Sequence, residues 1–148
     1  MSVLGTKKRP QGTFDSELEF KDAGAVTSSA AAQVDSADKI VDLGTGLFKG
    51  CMIVEVTAAK ISDSDEVYHV AIQLSSNATF ANTFVTPAKL ELGKAAVLYG
   101  DQDVTTGRYK VYFDNEHNGT FYRYARLYTH TAGTSESINY SAYCIPAE

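Results

Sequence analysis

The chain has 148 residues, 44% hydrophobic and 21% charged, which is the size and composition of one globular domain and excludes wholesale disorder. Its net charge of −5 is uneven: Lys7, Lys8 and Arg9 stand in the first fourteen residues without an acid, so the other ten basic residues face all eighteen acids over the remainder. An acidic body lacks the clustered Lys and Arg that phosphate neutralisation requires, so no nucleic-acid partner is expected, and without an apolar run near the roughly 18 residues of a membrane span no membrane is expected either.

In chain order, residues 1–13 show no periodicity and read as a flexible basic arm, followed by a single domain over 14–148. Residues 14–20 alternate, with Phe14, Leu18 and Phe20 on one face and Asp15, Glu17 and Glu19 on the other, which predicts a half-buried strand. The small-residue stretch 23–38 is read as extended rather than helical. Residues 39–43 and 51–58 form short β-branched runs separated by Gly44, Gly46 and Gly50. After an acidic loop at 62–66, residues 67–74 place Tyr68, Val70, Ile72 and Leu74 on a core side. Residues 75–87 are a polar connection carrying Phe80 and Phe84, and 88–99 give weak strands around Gly93. Residues 109–114 and 121–130 flank Glu116-His117-Asn118-Gly119, where Asn-Gly accepts the positive φ of a tight hairpin turn. Residues 137–145 supply the last strand. About eight strands without a long amphipathic helix predict an all-β jelly roll or β-sandwich.

Few residues point to chemistry. The glycines of 44–50 miss dinucleotide-binding spacing by one and precede a strand, so they read as a turn. Asp63, Asp65 and Glu66 begin like a calcium loop, but Tyr68 and Leu74 stand where its glycine and glutamate belong, which leaves a solvated acidic loop. His69, His117 and His130 are far apart in sequence and nominate no zinc site. Cys51 and Cys144 lie in strand-like runs and read as small buried hydrophobes, in a chain with no signal-peptide core. No cofactor, metal or catalytic group is expected.

Residues 121–130 are the most informative stretch. Read as one strand, they put Tyr122, Tyr124, Arg126, Tyr128 and His130 on one face and Phe121, Arg123, Ala125, Leu127 and Thr129 on the other, with Phe121, Ala125 and Leu127 inward. Tyr and Arg are frequent anchors of protein contacts, so Tyr122, Tyr124, Arg126 and Tyr128, together with Lys7, Lys8 and Arg9 of the arm, are the candidate contact residues. The alternatives are an ordinary sheet face, a carbohydrate-binding module whose Tyr row stacks on sugars, and an enzyme subunit with a shared site.

Phe14-Asp15, Leu18-Glu19-Phe20, Asp22 to Thr27, Ile40-Val41-Asp42-Leu43-Gly44, Ile72 to Ser76 followed by Phe80, and Tyr124-Ala125-Arg126-Leu127-Tyr128 run in the order of similar blocks in small jelly-roll capsid cement (decoration) proteins of tailed bacteriophages. The chain resembles that family over most of its length from residue 14 onward. It departs in the basic arm and in a more polar loop at 99–108. The resemblance implies a structural, non-enzymatic virion protein, made in the bacterial cytoplasm and bound to the outer surface of the capsid. It would be a homo-oligomer, a dimer first and a trimer second, that cements neighbouring capsomers of the major capsid protein and stabilises the expanded head.

Overall fold

The computed structural model describes residues 15–81 and 83–147, so the expected arm and Phe14 lie outside the described residues. The first strands are short: β1 (Glu19–Lys21), β2 (Ala25–Val26), β3 (Ala30–Ala31), β4 (Gln33–Val34), β5 (Ala37–Asp38) and β6 (Val41–Asp42). Three long strands follow, β7 (Lys49–Ala59), β8 (Val67–Ser75) and β9 (Val85–Gly93). Then come β10 (Gly107–Asp114), the short β11 (Glu116–His117) and β12 (Thr120–Phe121), and finally β13 (Tyr124–Ala132) and β14 (Ile138–Pro146).

In the first sheet β1 and β2 both pair with β14, which continues to β7 and β10; in the second, β3 and β6 both pair with β13, which continues to β8 and β9. Every pairing is antiparallel. With β1 and β2 sharing one strand position and β3 and β6 another, eight positions result, ordered first-eighth-third-sixth and second-seventh-fourth-fifth. That is the order of a jelly roll, two Greek keys folded face to face. The expected all-β sandwich of about eight strands is therefore the fold; the additional segments are two- or three-residue pieces of the same positions and the small hairpins β4–β5 and β11–β12.

Alternation builds the core. Met52, Val54 and Val56 of β7 and Ile138, Tyr140 and Ala142 of β14 face Tyr68, Val70, Ile72 and Leu74 of β8 and Ala125 and Leu127 of β13. Each fully buried large side chain stabilises the fold by roughly 1.5–3 kcal/mol. The buried hydroxyls of Thr129 and Tyr140 hydrogen-bond across this core between the sheets. Cys144 is buried in the core, which pushes its thiol up to about 12, and Cys51 is buried on the other face of the first sheet; neither forms a disulfide.

Three expectations change. Residues 14–20 are not one strand: Asp15 caps a 3₁₀ turn at Ser16–Leu18 by accepting from the Glu17 amide at 2.9 Å, and pairing begins only at Glu19. An Asp beside its own backbone offers that turn in place of a ladder. Lys21, next to buried Phe20, is itself buried; its Nζ donates to the carbonyls of Asp22 (3.0 Å), Gly24 (3.0 Å) and Tyr140 (2.8 Å), fastening the edge strand to β14. The acidic loop is not freely solvated either. Glu66 is fully buried and accepts from the Asp63 amide at 3.0 Å, and Asp65 accepts from the amide and hydroxyl of Thr134. The stretch 23–38 is extended, as read.

The third change bears on the candidate contact strand. The hairpin at Asn118-Gly119 forms, with φ of 52° and 85° at its two turn residues, but β10 and β13 do not pair across it. Strand β10 belongs to the first sheet and β13 to the second, so the chain crosses the sandwich between residues 114 and 124. Asn115, fully buried, holds that crossing. Its side-chain amide donates to the carbonyls of Gly46 at 2.9 Å and Tyr122 at 2.8 Å, and its Oδ1 accepts from the Phe48 amide at 2.7 Å. Replacing Asn115 with Ala removes three hydrogen bonds to part-buried backbone groups and a buried side chain, and unfolding in urea is expected to show a loss of about 3 kcal/mol. A loss below about 1 kcal/mol would show that the crossing does not depend on this side chain.

Candidate protein-contact face

The crossing interrupts the expected ten-residue strand at Tyr122 and Arg123. Phe121, expected inward, ends β12 and is 51% exposed, whereas Ala125 and Leu127 are fully buried as expected. Tyr122, expected outward, packs against the core instead, because its amide donates to the Asn115 carbonyl at 2.8 Å and its carbonyl accepts from the Asn115 side chain. The outward set is thus Tyr124, Arg126, Tyr128 and His130, all from β13. Lys7, Lys8 and Arg9 lie outside the described residues.

Register places this set in rows across the second sheet. Arg126 is opposite Gln73; Tyr128 is opposite Ala71, which faces Lys89; His130 is opposite His69, which faces Glu91. Rows two residues apart stand about 6.7 Å from one another. Gln73 is nearly fully buried and its Oε1 accepts from Arg126 Nε at 2.8 Å. The guanidinium of Arg126 lies over the rings of Phe80 at 4.5 Å, Tyr128 at 5.5 Å and Phe84 at 5.9 Å. Phe80 and Phe84 come from the 76–84 loop, which is tied down by the Ser75 hydroxyl donating to the Thr83 carbonyl at 3.0 Å and by a turn at Asn77. This polar connection thus forms one wall of the face. Sequence spacing gave no sign that it would meet Arg126, since that contact depends on how β8 and β13 pair.

The third row carries the other feature that local sequence did not reveal. His69 and His130, sixty-one positions apart, are cross-strand neighbours. The Tyr128 and His130 rings pack at a 44° tilt with centroids 4.7 Å apart, while His69 Nε2 is 3.5 Å and Lys89 Nζ 3.3 Å from the Glu91 carboxylate. Burial first, then the Lys89 ammonium, lower the pKa of His69 against the opposing pull of Glu91, so the imidazole is neutral at pH 7. The small side chain of Ala71 leaves a concavity of about 440 Å³ walled by His69, His130, Lys89 and Thr86. A second hollow of about 420 Å³ lies along residues 21–36, but it is lined mainly by small side chains, and the ammonium of Lys21 is already held by three carbonyls. Among the described residues no group of three or more His, Cys, Asp or Glu is placed to hold a metal ion.

At the end of the face Arg123 donates through Nε and Nη2 to the two carboxylate oxygens of Asp42, each at 2.8 Å, and lies 5.4 Å from the Tyr124 ring centroid. These bonds, with the Gly44 amide, lower Asp42 to about 2. Because the folded value lies below the ordinary 3.8, the contribution is present above that value and is lost as pH falls through about 2. Arg123→Gln is therefore expected to raise the Asp42 titration midpoint toward 3.8 in a carboxyl NMR titration, and an unmoved midpoint would rule out the pairing.

Comparison with protein-family models and with curated proteins finds no match to this chain.

Proposed function

We propose that this chain is a structural cement protein that binds the outer surface of a tailed-phage head as an oligomer and clamps neighbouring capsomers of major capsid protein. The observation that carries this reading is the outward face of β13, where Tyr124, Arg126 and Tyr128 stand in a row on a jelly-roll sheet and Arg126 is held in place by Gln73 and three rings. A side chain already fixed in its bound geometry loses little entropy on docking, so a modest patch can bind usefully. Repetition over a symmetric shell multiplies such a contact, and binding only the assembled shell stabilises that state by mass action. The ordered blocks that resemble cement proteins supply the identity of the partner.

The carbohydrate reading fits this face less well. Sugar rings stack on open aromatic faces, yet the Arg126 guanidinium lies over Phe80, Phe84 and Tyr128, and Tyr128 also packs on His130. What is presented is a cation set among rings, the arrangement found at protein–protein hot spots.

Heads purified from the phage that encodes this chain are expected to contain it in a fixed ratio to the major capsid protein. Heads assembled without it should lose their DNA at a lower temperature. Particles devoid of the chain, or equal thermal resistance with and without it, would refute the cement role.

A further inference from the structure

On a chain of net charge −5, the outward face of the second sheet carries Arg126 and Lys89 and two imidazoles, His69 and His130, beside the carboxylate of Glu91, while at its end the carboxylate of Asp42 is taken by Arg123. Glu91 is already shared by Lys89 and His69. Arg126 uses only its Nε–H on Gln73; among the described residues neither η nitrogen makes a hydrogen bond, which leaves four N–H donors of the fork without an acceptor.

We propose that this face binds an acidic segment of a protein partner, with one carboxylate taken by the η nitrogens of Arg126 and a second seated over Ala71 beside Lys89, His69 and His130. The proposal rests on reading this face as the contact surface of a cement protein and adds the chemistry of what it contacts. A guanidinium fork matches a carboxylate with two parallel hydrogen bonds, and this fork is already oriented by Gln73 and the rings beneath it. The concavity over Ala71 has room for an Asp or Glu side chain, and the Lys89 ammonium on its wall disfavours a basic one.

The test uses the full chain, isotope-labelled, titrated with an octaglutamate peptide, an octalysine peptide and an eight-residue thymidine oligonucleotide. Octaglutamate is expected to shift saturably the amide signals of Ala71, Gln73 and Arg126 to His130, with octalysine inert and the oligonucleotide weaker. Lys89 is half-exposed, so Lys89→Gln reads the charge with little effect on the fold; it should weaken octaglutamate binding about fivefold, the equivalent of about 1 kcal/mol. Arg126→Gln should weaken it further, and Lys110→Gln, on an exposed position of the first sheet, should leave it unchanged. Shifts centred elsewhere, undiminished binding by Lys89→Gln, or tighter binding of the oligonucleotide would overturn the proposal. Shells that bind Lys89→Gln and Arg126→Gln chains as well as the unsubstituted chain would overturn it while leaving the cement role standing. Octaglutamate bound at this face by a chain missing from heads would uphold it and refute the cement role alone.

Discussion

The make-up of the outward face of β13 depends on how the chain passes from one sheet to the other between β10 and β13. A jelly roll alternates its long strands between two layers, and each passage brings backbone polar groups into a region where water is scarce. At this passage a single buried amide accommodates them: Asn115 satisfies two carbonyls and one amide from segments far apart in sequence. Each of these hydrogen bonds to a part-buried backbone group contributes to holding the crossing. Because Tyr122 is held inward there, β13 restarts at Tyr124 with a defined phase. That phase sends Ala125, Leu127 and Thr129 to the core and Tyr124, Arg126, Tyr128 and His130 to the surface. A shift of one residue would exchange the two sets.

Much of this was legible beforehand, and the boundary is physical. Period-two alternation in 67–74 placed the core residues of β8 because that strand buries one face against a partner sheet, and 137–145 was read as the last strand. Asn-Gly announced the hairpin because its backbone demand is local. The pairing of strands is not local. Nothing in 109–130 alone says that β10 turns to β7 and β13 to β8, so a run of bulky residues read as one strand is in fact two segments divided by a crossover. The same gap hid the His69–His130 neighbourhood and the cover of Phe80 and Phe84 over Arg126, both of which depend on the register of β8 against β13.

The resulting face differs from the one the sequence advertised. It lacks Tyr122 and gains a buried glutamine, two phenylalanines from a tied loop, and a concavity over Ala71 walled by Lys89 and two histidines. The change moves the emphasis from a row of tyrosines to a held guanidinium. Rigid scaffolds present such groups well: the sheet supplies spacing, the loop restricts rotamers, and little remains to be ordered when a partner arrives.

The most direct test of the central claim, that the outward surface of β13 is the docking surface, is a cryo-EM reconstruction of heads carrying this chain. The account predicts that the surface bearing Tyr124, Arg126 and Tyr128 lies against the shell, with density on the guanidinium of Arg126. A map with this surface open to solvent and the opposite sheet seated on the capsomers would contradict it.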